Sequence, residues 1–244
     1  MSGVRASFPA PFNGSVVQSG RTLVSKTKCR WFKSIRGRQT RKQIMPATFL
    51  VSDTHFGHAG VCRFMRNDGV TKLRPWDDPA EMDEEMIRRW NDRVRPTDKV
   101  YHLGDVVINR KALPTLHRLN GDKVLIRGNH DIFRDDEYRE YFRELRAYHV
   151  LNGMILSHIP VHPESLGRFG TNIHGHLHAN RVKKMRGINT KTGEILYSDE
   201  IDPRYHCVCV ETTDYTPILF EDVIKRIEAE GGSVGFKNGN GPAM

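Results

Sequence analysis

Five short clusters in this chain hold groups able to ligate a cation or move a proton. They are Ser52-Asp53-Thr54-His55, Gly104-Asp105, Gly128-Asn129-His130-Asp131, Ser157-His158 and Gly175-His176-Leu177-His178. Singly, each has a plain reading. An Asp-x-His step commonly ends a strand as a hydrogen-bonded turn. Gly-Asn-His-Asp suits a turn because Gly and Asn tolerate left-handed backbone while Asp binds nearby amides. His176 and His178, two apart on an extended segment, are expected to point to one side, as two ligands should. Together the clusters exceed those readings. Burying so many carboxylates and imidazoles without a cation would leave unpaired polar groups at a cost of several kcal/mol. Divalent ions bound by imidazole, carboxylate and amide oxygen remove that cost, and this donor mixture suits first-row transition metals.

Such clusters need a frame that brings them to one edge. Thr48-Phe-Leu-Val-Ser52 reads as a short buried strand ending at the first cluster. Asp78-Pro79-Ala80-Glu81 has the marks of a helix start, with Asp as N-cap, Pro in the first turn and Glu placed for a capping box. Met82, Met86, Ile87 and Trp90 follow at helical spacing and form its expected core face. Lys99–Leu103 predicts a second strand running into Gly104-Asp105. A helix over roughly 110–119 leads to a third strand, Lys123–Arg127, which runs into Gly128–Asp131. Later strands are expected at Met154–His158, Thr171–His174 and Tyr205–Val210, with a closing helix over Phe220–Glu230. Strand alternates with helix, which makes the fold class α/β. The polar clusters fall at the strands' carboxyl ends, where open α/β sheets bind ligands.

Taken in order, Asp-x-His, Gly-Asp, Gly-Asn-His-Asp, His and Gly-His-x-His resemble the signature of the calcineurin-like metallophosphoesterases, over residues 48–211. The segments Ser52–His58, Trp90-Asn91, His102–Asp105 and Ile126–Asp131 are similar to small bacterial and phage-encoded members. The resemblance implies two mixed β-sheets packed face to face and flanked by helices, in four layers α/β/β/α. It implies a metal-dependent phosphoesterase with two divalent ions. Asp53, His55 and His178 would bind the first, and Asn129, His158 and His176 the second. Asp105 would bridge both together with a hydroxide. His130 would be the catalytic acid or a phosphate-stabilising donor, with Asp131 as a candidate orienting partner. The implied reaction is in-line attack on a phosphomonoester, a phosphodiester or a nucleotide-like substrate, with a shared water made acidic by the ion pair. Manganese is the first expectation for the metal; iron, zinc, nickel and magnesium also suit the mixed ligands. Two other readings stay open: a nuclease-type phosphodiesterase acting on nucleic acid, and a catalytically silent binding or scaffold member of the fold.

Several other polar residues carry less. His58 follows the first cluster as a substrate-facing or a plain loop histidine. His174 should point away from the metals by alternation, and His102 belongs to the core of the second strand. Arg168 and Asn172, in the stretch between His158 and Gly175, are candidate phosphate contacts, and His162 stays open. Cys207 and Cys209 read as small buried residues of one strand face.

Charge divides the chain. Residues 1–45 hold ten of the 38 Lys and Arg and no acid, which leaves 28 basic residues against 29 acidic ones elsewhere. The net charge of +9 therefore belongs to an N-terminal extension, not to a global field suited to nucleic acid. That extension is expected to be a basic disordered tail, an upstream segment before a start at Met45, or a transit peptide. The domain itself is expected over 46–231, with a flexible C-terminal tail over 232–244. The expected partner is a small phosphoester, with nucleic acid as an alternative reached through the basic tail. Four cysteines in no Cys-x-x-Cys spacing, and no apolar run long enough to span a bilayer, predict a soluble protein of a reducing, cytoplasmic compartment.

Overall fold

Short strands with apolar side chains on both faces form the middle of the protein, for which the computed structural model describes Met45–Phe236. β1 (Thr48–Val51), β2 (Lys99–His102), β3 (Asp122–Ile126) and β4 (Glu144–Arg146) run parallel. The short strand β11 (Ile218–Leu219) adds antiparallel to β1 and completes the order β11-β1-β2-β3-β4. Successive side chains point to opposite faces. Phe49, Val51, Val100 and Leu125 pack against Met82, Met86, Ile87 and Trp90 of helix α1 (Pro79–Arg93). Leu50, Tyr101, Val124 and Ile126 face the other way, onto Met154, Leu156 and Ile173 of a second sheet. Burial on both faces is why these strands are nearly continuous apolar runs.

The second sheet has the order β10-β7-β6-β5, built from β5 (His149–Leu151), β6 (Met154–Ser157), β7 (Asn172–His174) and β10 (Tyr205–Cys207). β5 is antiparallel to β6, and the other neighbours are parallel. Its outer face carries Ile155, Tyr205 and Leu166, the last from a 3₁₀ turn at Pro163–Leu166. Helix α3 (Phe220–Ala229) buries Phe220, Val223 and Ile227 in the core between the sheets. The frame is the expected one: two main mixed sheets with helices.

Several features differ in detail from the sequence expectations, among them the strands β4, β5 and β11, which have no counterpart there. The segment Arg110–Arg118 is a 3₁₀ helix with Pro114 inside it. Proline has no N–H to donate and crowds the preceding turn, so a regular α-helix cannot run through that position. A short helix α2 (Asp135–Arg139) and an antiparallel hairpin of β8 (Lys183–Ile188) and β9 (Ile195–Ile201) have no counterpart in the sequence reading. The expected N-terminal extension lies outside the described residues, apart from Met45. Of the expected C-terminal tail, Phe236 bridges to Phe169 and Ser233 accepts from the Thr171 hydroxyl at 2.8 Å; residues 237–244 lie outside the described part.

Candidate metal centre

All five clusters sit at the carboxyl ends of strands: β1, β2 and β3 in one sheet, β6 and β7 in the other. The loops are laced together by their backbones. Asp53 N donates to Gly104 O at 3.0 Å, His55 N to Asp105 O at 3.0 Å, and Gly175 N to His158 O at 2.9 Å. Approach this close leaves no room for side chains. A Cβ on Gly175 would lie 2.0 Å from Ser52 Oγ, and Gly104, at φ +96°, would place one 2.5 Å from Gly128 N. Five of the seven expected ligands also have left-handed backbone: Asp53 (φ 59°), His55 (49°), Asp105 (56°), His176 (69°) and His178 (51°). For non-glycine residues that region is sparsely populated, and strain of this kind persists only where the surroundings hold it.

The same turns correct one expectation. His176 and His178 lie beyond β7, not on an extended strand, so alternation does not set their direction. They go to different groups. Asp53, His55 and His178 converge, and so do Asp105, His158 and His176, with the potential ligand atoms of each trio within 4.8 Å of one another.

The carboxylates each offer one oxygen. Asp53 Oδ2 is saturated by Ser52 Oγ at 2.6 Å, His176 N at 2.8 Å and the Cys209 thiol at 3.1 Å. Its Oδ1 is buried without a hydrogen-bond partner, as are both ring nitrogens of His55. Asp53 Oδ1 lies 3.7 Å from His55 Nε2 and 3.9 Å from His178 Nε2. Asp105 Oδ1 accepts from His130 N at 2.9 Å, while Oδ2 stands 3.7 Å from His55 Nε2 and 3.4 Å from His158 Nε2. Most of these gaps are too long for hydrogen bonds. They are close to the spacing of about 3–3.6 Å between neighbouring ligand atoms around an ion with bonds of roughly 2.0–2.2 Å. Asn129 Oδ1 closes the second group, 2.9 Å from His158 Nε2 and 3.0 Å from His176 Nδ1.

Outer contacts orient the imidazoles. His158 Nδ1–H donates to Leu103 O at 2.8 Å, and His178 Nδ1–H to Glu211 Oε1 at 3.1 Å, which leaves each Nε2 turned inward. To donate to Asn129 as well, His158 must be doubly protonated; a cation there converts Nε2 from donor to ligand. The protein's own charges reflect this crowding. Burial raises the Asp53 carboxyl, but His55, His158 and His178 outweigh it and hold it far below the usual range. Burial likewise opposes ionisation of Asp105, which the hydrogen bond and charge of His158 reverse. Burial lowers His158 and His178, and their carboxylate partners Asp105 and Glu211 carry both above the ordinary value. Orphaned buried acceptors, inward-facing Nε2 atoms and mixed oxygen and nitrogen donors all fit a pair of divalent ions.

His130 is exposed, its ring 5.5 Å from that of His55 in an edge-on arrangement. Asp131 is not its partner. The Asp131 carboxylate accepts from the amides of Gly128 (2.8 Å), Asp105 (2.9 Å) and Val106 (3.0 Å), so it staples the second and third loops together. Asn172 is no phosphate contact either. It is buried, donates to Ile155 O and Ser157 Oγ, and accepts from Val161 N. His102 is in the core, bonded to Thr54 Oγ1 at 3.0 Å, and His174 turns to Gly175 O at 2.7 Å.

Two residues escaped sequence reasoning. The Arg74 side chain is fully buried, donates to Thr54 O and Asp53 O, and pairs at 2.8 Å with the equally buried Glu211. Through Glu211 it reaches His178. Nothing local marks Arg74; the signal for Glu211 is an acid directly after the apolar run Cys207–Val210.

The chain is similar to known proteins over most of its length. The sequence is 35% identical over 188 residues to an uncharacterized protein of Methanocaldococcus jannaschii, covering 75% of this chain and 93% of the relative. A solved structure of a protein of unknown function from Aquifex aeolicus is similar at 26% identity and a TM-score of 0.51, covering 75% of this chain and all of the other. The pattern described as calcineurin-like phosphoesterase matches residues 48–223, a span that contains both ligand groups and the two sheets that present them. With most of the chain inside that match, it belongs to the calcineurin-like phosphoesterase family.

Proposed function

We propose that the protein is a hydrolase of phosphoesters that works with two divalent ions. Asp53, His55 and His178 would hold one ion, Asn129, His158 and His176 the other, and Asp105 would contact both. One observation carries the reading: Asp105 Oδ2 lies 3.7 Å from a nitrogen of the first group and 3.4 Å from a nitrogen of the second. When bound, such ions supply an acidified water and neutralise phosphate oxygens. The donor set suits manganese and the other first-row divalent ions.

The chain's own residues do the rest. Asp53 and Asp105 each present one bare oxygen because the other is tied to protein donors, so neither can turn away. Glu211 and Leu103 fix the tautomers of His178 and His158. His130, exposed beside the cluster and with a ring free of protein hydrogen bonds among the described residues, would give its proton to the departing ester oxygen, a contribution of about 10²–10⁴-fold. The substrate reading is a small phosphoester.

The test is a panel of a phosphomonoester, a phosphodiester, cyclic nucleotides and single- and double-stranded nucleic acid, with ion-loaded protein. Hydrolysis of at least one is expected. His130→Ala should keep its ions and lose rate by about 10²-fold or more. Full activity in that variant would remove the role given to His130, and inactivity of the ion-loaded wild type across the panel would remove the reaction.

A further inference from the structure

A groove of about 890 Å³ opens directly from the second ligand group. Asn129 and His158 belong to its lining, and much of the rest is apolar: Tyr148, Val150, Ile155, Val161, Phe169 and Phe236. Three of those six are aromatic. Phe169 and Phe236 lie 5.9 Å apart and tilted by 42°, and the Arg168 guanidinium stands 5.3 and 5.9 Å from the two rings. No carboxylate among the described residues lies within 4.0 Å of Arg168. The other groove cation, Arg127, is already committed to Asp135 and to the carbonyls of Asp131 and Phe133.

A phosphoester held against Asn129 and His158 must send one of its arms somewhere. A sugar or polyol arm would prefer walls of hydroxyls and amides; of those in the groove, Ser157 Oγ is already bonded to Ile159 O and Asn172, and Asn129 belongs to the second ligand group, which leaves Ser165 and Tyr148. Flat apolar groups gain from burial against aromatic faces, and an arginine plane lying on those rings extends the same stacking surface.

The geometry points to this groove as the subsite for a flat aromatic arm of the substrate, an aryl or nucleobase-bearing group stacked among Tyr148, Phe169 and Phe236. The assignment rests on the proposed site, because the phosphoryl end must be held by Asn129 and His158. It makes the preferred substrate class aryl or nucleoside phosphoesters. Tyr148 and Phe169, which belong to neither ligand group, are then specificity residues.

Phosphonates, which are not hydrolysed, separate this inference from the reaction. Phenylphosphonate and methylphosphonate are titrated calorimetrically into full-length, manganese-loaded protein. The phenyl group buries about 80 Å² more apolar surface than methyl, so it should bind about 30-fold more tightly. Tyr148→Ser combined with Phe169→Ser should cut that preference to about fivefold or less and leave methylphosphonate affinity unchanged. Val150→Trp, which fills the groove and keeps the strand, should do the same. Equal affinities in the wild type, no binding of either probe to ion-loaded protein, or a preference untouched by these variants would overturn the assignment. A protein that prefers phenylphosphonate yet hydrolyses no phosphoester would refute the proposed reaction and leave the groove standing.

Discussion

Replacing Glu211 with glutamine keeps its shape and removes its charge, and the structure sets what should follow. Glu211 Oε1 receives Arg74 Nε at 2.8 Å, Arg74 Nη2 at 2.8 Å and His178 Nδ1 at 3.1 Å, with both the Arg74 and Glu211 side chains fully buried. In Glu211→Gln the Arg74 guanidinium stays in the interior with carbonyl partners but no anion. Breaking a buried pair from one side costs about 3–5 kcal/mol. Arg74 keeps its bonds to Asp53 O and Thr54 O, so the lower end, about 3 kcal/mol, is expected. For a domain of this size that is a fall in Tm of about 6–12 °C. The ions should feel it too. His178 exchanges a carboxylate acceptor for a weaker, neutral amide oxygen, and weakening an outer partner of this kind lowers metal affinity, by up to about 10–100-fold. The assay is thermal denaturation of the ion-free protein beside a calorimetric manganese titration. Arg74→Met with Glu211→Leu separates the effects. An apolar pair should recover most of the stability, while ion affinity stays low because His178 and the Asp53 and Thr54 carbonyls have lost their partners. Unchanged Tm and unchanged affinity in Glu211→Gln would refute the reasoning.

Other perturbations follow from the same contacts. Gly104→Ala puts a Cβ 2.5 Å from Gly128 N at φ +96°, so it should destabilise the fold by about 3 kcal/mol or more in urea denaturation; a loss under about 1 kcal/mol would show that the loops can separate. Away from the site, the Arg95 guanidinium first, and then the amides of Ala47 and Arg95, hold buried Asp98 down at about 2. A carboxylate with a lowered folded pKa stabilises above its unfolded value and loses that contribution as pH falls through the folded one. With water screening the 40%-exposed Arg95, about 1–2 kcal/mol should disappear between about pH 4 and pH 2, and Asp98→Asn should flatten the stability profile there. An identical slope in wild type and variant would contradict that assignment.

What could be read from the sequence, and what could not, divides by the range of the interactions. β1, β2 and β3 were legible because burial on two faces leaves compact apolar runs, and the ligand clusters stood out because each closes such a run. Helix α1 announced itself through Asp78, Pro79 and its spaced apolar residues. The hairpin of β8 and β9 was hidden because its side chains are nearly all exposed, so no buried face leaves a period. Pro114 was the visible clue that the stretch after Arg110 would not be a regular helix. At the centre itself, residue identities were legible and their conformations were not. Left-handed backbone at five ligand residues depends on contacts such as Asp53 N to Gly104 O, between loops about fifty residues apart. Arg74 and Glu211 are 137 positions apart, and Asp131 binds the amides of a loop 25 residues earlier, so no local pattern reveals either role.

Asp105 must join two ion sites for the proposed reaction to hold, and counting ions tests that most directly. Protein stripped with chelator is dialysed to equilibrium against manganese and analysed for metal per chain. Two ions per chain are expected at saturation in the wild type, and Asp105→Ala should hold at most one while keeping its fold by circular dichroism. A wild type that binds one ion or none, or an Asp105→Ala variant that still binds two with unchanged affinity, would contradict it.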